Sequence, residues 1–143
     1  MKPLLSLLIL ILTISFARSQ PHPDINPELL RHQWTALWIG PRLGVGESDL
    51  GVYHFRRSFD LSAKPAKFLV HVTADNRYRL FVNGESVGLG PSRGDKIHWQ
   101  YETYDLAPYL RPGKNTIAAQ VWNLGFNSPV AQMAIGKTAF LMQ

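Results

Sequence analysis

Apolar and polar residues alternate with a period of two through most of the chain beyond Gly51, and each run of alternation ends at turn-forming residues. From Val52, residues Tyr53, Phe55, Phe59 and Leu61 share one phase, while His54, Arg56, Ser58 and Asp60 share the other. A strand with one buried face has this pattern. Arg57 falls on the apolar phase, so its guanidinium must find a partner or reach an edge. After the turn at "SAKPAK", Phe68, Val70 and Val72 alternate with Leu69, His71 and Thr73. Tyr78, Leu80 and Val82 then alternate with Arg77, Arg79 and Phe81 up to Asn83-Gly84. Both of those residues tolerate positive φ, which predicts a β-hairpin closed by a two-residue type I′ turn. Residues Gly88 to Lys96 read as a loop, and "IHWQYETY", Ile97 to Tyr104, alternates again. Asp105 is placed to cap the short "DLAPYL" turn. Pro112-Gly113 marks a tight turn before a strand from Asn115 to Asn123, and Gln132 to Gln143 reads as a last strand. Six or seven short strands, with no convincing long helix, predict an all-β antiparallel sandwich.

The first residues follow a different rule. Lys2 precedes an apolar run from Leu4 to Phe16, and Ala17-Arg18-Ser19 places small residues where a signal peptidase reads them. Residues 1–19 therefore read as a secretory signal, cleaved after Ser19. An uncleaved anchor is the alternative, but the run is short against the roughly 20 residues of a membrane span. Residues 20–33 form a proline-rich leader containing "PHPDINP", and Glu28 to Trp38 reads as a short helix or an irregular lead-in. The sandwich occupies residues 34–143. The expected location is secreted or periplasmic, with no membrane association after cleavage.

Composition narrows the chemistry. The chain has no cysteine, which excludes disulfide scaffolds and thiolate metal sites. The formal charge of +5 shrinks when Lys2 and Arg18 leave with the signal, and the remaining cations are scattered among acids. No nucleic-acid partner is expected from such a distribution. The glycine-rich loop Gly40 to Gly51 lacks phosphate-cradling spacing. The five histidines show no metal-binding spacing, and no Gly-x-Ser-x-Gly nucleophile elbow occurs.

The wording of several strands goes further. "YHFRRSFDL", "ADNRYRLFVNGESVGLGPSRGD", "WQYETYDLAPYLRPGKNTIAAQVWNLG" and the final "AFLMQ" resemble the N-terminal β-sandwich of bacterial α-L-rhamnosidases, glycoside hydrolase family 78. The resemblance runs from about Trp34 to Gln143. More loosely, the chain is similar to the galactose-binding-like jelly rolls that precede the catalytic domains of β-galactosidases. The resemblance implies an accessory domain. In that family, hydrolysis is inverting and belongs to acidic residues of a separate helical barrel farther along the polypeptide. It thus implies a downstream catalytic domain as the partner, beyond Gln143, and a rhamnose-containing glycan as a further partner. No cofactor is expected. Jelly-roll sugar modules often hold a structural calcium, for which Glu47, Asp49 and Asp95 would be the donors, but no calcium-ligand loop is recognisable in the sequence.

Glycoside hydrolysis needs two carboxylates facing one sugar. The acids here have structural readings instead: Asp75 at a turn, Asp105 as a cap, Glu85 after the hairpin turn and Asp60 at a strand end. No catalytic residue is assigned. Sugar recognition needs an aromatic face for the C–H surface and planar polar groups for the hydroxyls. Trp38, Trp99, Tyr101, Tyr104, Tyr109 and Trp122 offer faces, although aromatics at period two more often pack the core. The loop from Gly90 to Trp99 is harder to explain by packing. The expected ligand-binding set is therefore Asn83, Arg93, Asp95, His98, Trp99 and Tyr101.

The resulting expectation is a non-catalytic N-terminal sandwich of a secreted α-L-rhamnosidase-type glycoside hydrolase. The alternative is a stand-alone secreted lectin-like domain of the same fold. A third reading is a truncated chain with no activity.

Overall fold

The computed structural model describes residues 32–41, 50–95, 97–125 and 138–143. The expected signal peptide, most of the leader and most of the glycine-rich loop lie outside these residues. The described part is all-β: β1 (Gly51–Leu61), β2 (Leu69–Asp75), β3 (Arg77–Val82), β4 (Glu85–Gly90), β5 (Glu102–Asp105), β6 (Gly113–Asn123) and β7 (Ala139–Met142), with one 3₁₀ turn at Ala107–Tyr109. Two antiparallel sheets form a sandwich. One has the order β1-β6-β3-β4 and the other β5-β2-β7.

The alternation seen in the sequence sets the core. Tyr78, Leu80 and Val82 of β3 and Val121 of β6 are fully buried and meet Val70, Val72 and Ala74 of β2. Leu106, Leu110 and Phe140 complete the cluster, with Phe55 and Phe59 of β1 packed against it. Burying a side chain of this size stabilises the fold by about 1.5–3 kcal/mol. Arg57 shares the inward phase of β1, but β1 is an edge strand, and Arg57 reaches solvent there.

The hairpin is built as its sequence predicts. Val82 pairs with Glu85, and Asn83 and Gly84 have φ values of 52° and 89°. β4 runs on to Gly90, farther than the expected loop start at Gly88. A Cβ at Gly90 would stand 2.6 Å from the Tyr78 hydroxyl, so only glycine lets β4 pass over that buried ring.

One expectation needs correction. The run Ile97 to Tyr104 is a strand only from Glu102. Before that, the Asp95 carboxylate accepts the backbone N–H groups of Ile97 and His98 at 2.8 and 2.6 Å, which bends the chain away from extension. Of the two readings of the lead-in, its described part, His32 to Trp38, follows the irregular one. Ile39 instead forms an antiparallel bridge with Phe140, with N–H···O distances of 2.9 and 2.8 Å. The Gln143 side chain accepts the Ala36 N–H at 2.9 Å. The lead-in is thereby strapped across the outer face of the three-stranded sheet.

Candidate functional site

That strap creates an aromatic cleft over β2. Trp34, Leu37 and Trp38 from the lead-in face Thr73, Trp99 and Tyr101 across a space of about 460 Å³. Pockets of this size accept small ligands. The walls are aromatic pairs set edge to face. Trp38 and Trp99 have ring centroids 5.9 Å apart, and Trp34 and Tyr101 are 5.0 Å apart. Offset or perpendicular ring arrangements are the favourable ones for aromatic quadrupoles.

The floor of the cleft is held by hydrogen bonds to β2. The Trp99 indole N–H donates to Thr73 Oγ1 at 2.9 Å, and that hydroxyl donates to the Gln100 carbonyl at 2.7 Å. His71 Nδ1 and Thr103 Oγ1 are 2.9 Å apart, and the imidazole lies under Trp34 at 5.7 Å and Tyr101 at 5.5 Å. This cover explains why β2 is buried on both faces, with His71 and Thr73 each 3% exposed. Burial lowers the His71 pKa, because the charged imidazolium loses its hydration there. Trp38 stays 46% exposed, so its ring remains open to a ligand. Among the described residues, no hydrogen bond is made by the Trp34 or Trp38 indole, the Tyr101 hydroxyl or the Gln33 amide. The cleft thus combines apolar ring surface with unused donors.

The expected binding residues divide into three groups. Trp99 and Tyr101 line this cleft. Arg93, Asp95 and His98 sit on the neighbouring loop, which closes on itself. Asp95 Oδ2 lies 2.8 Å from His98 Nδ1, and its other oxygen takes the two backbone N–H groups. Those bonds, led by the His98 side chain, hold the Asp95 carboxyl down at a pKa of about 2. The space under the loop, between Asn76, Arg93 and Gln100, is only about 10 Å³. Arg93 is exposed and makes no hydrogen bond or ion pair among the described residues. Asn83 lies apart from both groups. Its amide donates to the Tyr109 carbonyl and to Asn115 Oδ1, both at 2.9 Å, and accepts the Thr116 N–H at 2.9 Å.

The sequence reading left Trp34 and Trp38 out of this set. The available signal was two indoles in "WTALWIGP", just before the first strand and outside any alternation that would bury them. The calcium donor set is not assembled in the described structure: Glu47 and Asp49 lie outside those residues, and Asp95 is taken by His98 and the backbone. Among the described residues, no three His, Asp or Glu side chains cluster as a metal site.

The profile for the α-L-rhamnosidase N-terminal domain matches residues 63–140. The chain belongs to that family. A family 78 rhamnosidase of Bacillus sp. GL1 is 36% identical over 78% of this chain, with a TM-score of 0.62. The α-L-rhamnosidases of Dictyoglumus thermophilum and Aspergillus terreus share the fold at 23% and 21% identity, with TM-scores of 0.55 and 0.51 over 76% and 73% of the chain. The chain spans only 14%, 14% and 13% of the length of these three enzymes. No curated protein matches it. In these relatives the α-L-rhamnosidase N-terminal domain is thus a small part of a longer polypeptide. No helix among the described residues is long and apolar enough to cross a membrane.

Proposed function

We propose that this sandwich is the non-catalytic accessory domain of a secreted or periplasmic α-L-rhamnosidase-type glycoside hydrolase. In this reading residues 1–19 direct export, residues 20–33 are a leader, and residues 34–143 form the domain. A downstream domain of the same polypeptide carries the chemistry, and the sandwich supports it while its aromatic cleft contacts carbohydrate.

The fate of the carboxylates carries the proposal. Inverting hydrolysis needs one carboxyl to protonate the leaving oxygen and another, about 6.5–9.5 Å away, to activate water. Near the cleft and its loop, each described acid is already used. Asp75 is fully buried and accepts from the Asn76 amide at 2.6 Å. Asp95 is committed to His98. Glu102 Oε1 accepts the Ser92 N–H at 2.8 Å and the Ser92 hydroxyl at 2.6 Å. Asp105 Oδ1 accepts the Phe68 and Ala107 N–H groups at 2.9 and 3.0 Å. What remains in the cleft is ring surface with neutral donors, a set that binds a sugar without cleaving it.

Two measurements test this. The purified chain is expected to show no turnover of an aryl α-L-rhamnoside; turnover that persists after contaminating glycosidases are removed overturns the non-catalytic role. Titration with L-rhamnose is expected to change tryptophan fluorescence, and Trp38→Ala to abolish the response. An unresponsive wild-type chain would leave the support role and remove the carbohydrate contact.

A further inference from the structure

The outer face of the four-stranded sheet, on the opposite side of the sandwich, carries a second and chemically different constellation. Register places His54, Gln120 and Arg79 in one row across β1, β6 and β3, and Val52, Trp122 and Arg77 in the next. Leu50, Val52, Arg79, Gln120, Trp122 and Leu124 line an open depression of about 510 Å³. Leu50 and Val52 are 76% and 56% exposed, and with Trp122 and Leu124 they form a contiguous apolar patch in this depression.

The polar groups here are planar and basic. Gln120 Nε2 and His54 Nε2 are 3.3 Å apart. The Arg79 guanidinium is exposed and has no partner among the described residues. Arg77, beside it, donates to the Pro91 carbonyl at 3.1 Å. Arg56 stands exposed one row farther along β1. The acid on the outward phase of β1 is Asp60, which lies at the far end of the strand opposite Lys114. Among the described residues, the row of His54, Gln120 and Arg79 therefore carries positive charge with no carboxylate in register with it.

We propose that this face binds a carboxylated pyranose within an anionic polysaccharide. Arg79 takes the carboxylate, since a guanidinium matches two carboxylate oxygens with parallel hydrogen bonds. Gln120 and His54 meet ring hydroxyls, and Trp122 with Val52 covers the apolar side of the ring. Arg56 extends the positive strip toward the next acidic unit and draws the polymer in. The aromatic cleft of the three-stranded sheet differs in kind, being lined by neutral groups.

Affinity electrophoresis of the chain through gels containing polygalacturonate tests the proposal. Retardation is expected, and it disappears when the same polymer is fully methyl-esterified. Arg79→Gln should weaken binding about tenfold, the usual scale for one charge-assisted contact. Gln120→Ala and Trp122→Ala should weaken it too, with melting curves reporting whether Trp122→Ala remains folded. Arg79 is exposed, so its variant decides the matter even if Trp122→Ala unfolds. Trp38→Ala should bind as the wild type does, which separates this face from the cleft. Four results each overturn the proposal: no retardation of the wild type, equal retardation by polyglutamate or duplex DNA, no effect of Arg79→Gln, or loss of binding in Trp38→Ala.

Discussion

The side-chain amides of Asn83 and Asn115 meet at 2.9 Å, with Asn83 Nδ2 donating to Asn115 Oδ1. Asn83 stands at the hairpin tip and Asn115 near the start of β6, so the contact ties the β3-β4 turn to the turn before β6. Asn115 is fully buried and saturated: Oδ1 also accepts the Arg111 N–H at 3.0 Å, and Nδ2 donates to the Arg111 and Gly113 carbonyls at 2.7 and 2.9 Å. Replacing it strands several buried partners, each costing about 1–3 kcal/mol when left unsatisfied. Asn115→Ala is expected to lower stability by about 2 kcal/mol or more in denaturant unfolding. A loss under about 0.5 kcal/mol would mean that water replaces the amide at no cost.

Gly84 tests the turn itself. Its φ of +89° is unfavourable for any L side chain, while nothing lies within 4 Å of a Cβ built there. Gly84→Val should therefore destabilise through the backbone alone, by about 1 kcal/mol or more, with ligand binding unchanged. Gly84→Asn should cost less, since asparagine enters the left-handed region more readily. Equal melting temperatures for wild type and Gly84→Val would refute the turn assignment.

The loop after β4 is closed by the contact between Asp95 and His98. Asp95 binds His98, not Arg93, so Arg93→Ala should change stability by less than about 0.5 kcal/mol. Arg93→Ala and Asp95→Ala should act additively in a double-mutant cycle; a coupling above about 1 kcal/mol would restore the Arg93–Asp95 pair. The Asp95 carboxyl is held near pKa 2, below its unfolded value of 3.8. Its contribution is present above pH 3.8 and fades as the pH falls toward 2. NMR titration of the Asp95 carboxyl should show this low midpoint, and one near 3.8 would deny the His98 contact.

His71 should make the domain acid-sensitive at a milder pH. Its folded pKa lies below the ordinary 6.5, so the unfolded chain takes up the proton first on acidification. Stability is full above pH 6.5, falls as the pH drops through that value, and levels off below the folded pKa. The melting temperature should drop between pH 7.5 and 5.5 by more in the wild type than in His71→Gln. Identical pH profiles would place the sensitive group elsewhere.

The parts legible in the sequence are those set by local pattern. β1, β3 and β6 each bury one face, and their alternation shows it directly. The Asn83-Gly84 turn follows from the φ preferences of two residues. The double burial of β2 was not legible, because "LVHVTAD" alternates like a strand with one wet face. Trp34 and Tyr101 cover His71, and Trp99 reaches Thr73; they are brought from opposite sides in sequence by the Ile39–Phe140 bridge and the Asp95 bend. The cleft was half legible for the same reason. Trp99 ends a polar loop and Tyr101 follows it on the same phase, whereas Trp34 and Trp38 join them only through pairing with the last strand. Asn115 carried a weak signal, a lone asparagine after Pro112-Gly113, whose partner lies a whole hairpin away.

Thr73 is the residue through which the cleft depends on the sheet. Its hydroxyl accepts from the Trp99 indole at 2.9 Å and donates to the Gln100 carbonyl at 2.7 Å, so one oxygen fixes both the ring and the backbone beside it. Thr73→Val keeps the shape and the β-branch but removes both bonds. The valine methyl then faces an indole N–H and a carbonyl that have lost their partner, at a cost of about 1–3 kcal/mol. The penalty should appear locally as well as globally. Trp99 is expected to lose its fixed angle to Trp38, with a red-shifted tryptophan emission and weaker L-rhamnose response than the wild type. Thr73→Ser retains the hydroxyl and should recover most of both properties. If Thr73→Val responds to the sugar as the wild type does, the indole is positioned by ring packing alone, and the hydrogen bond to β2 is incidental to the cleft.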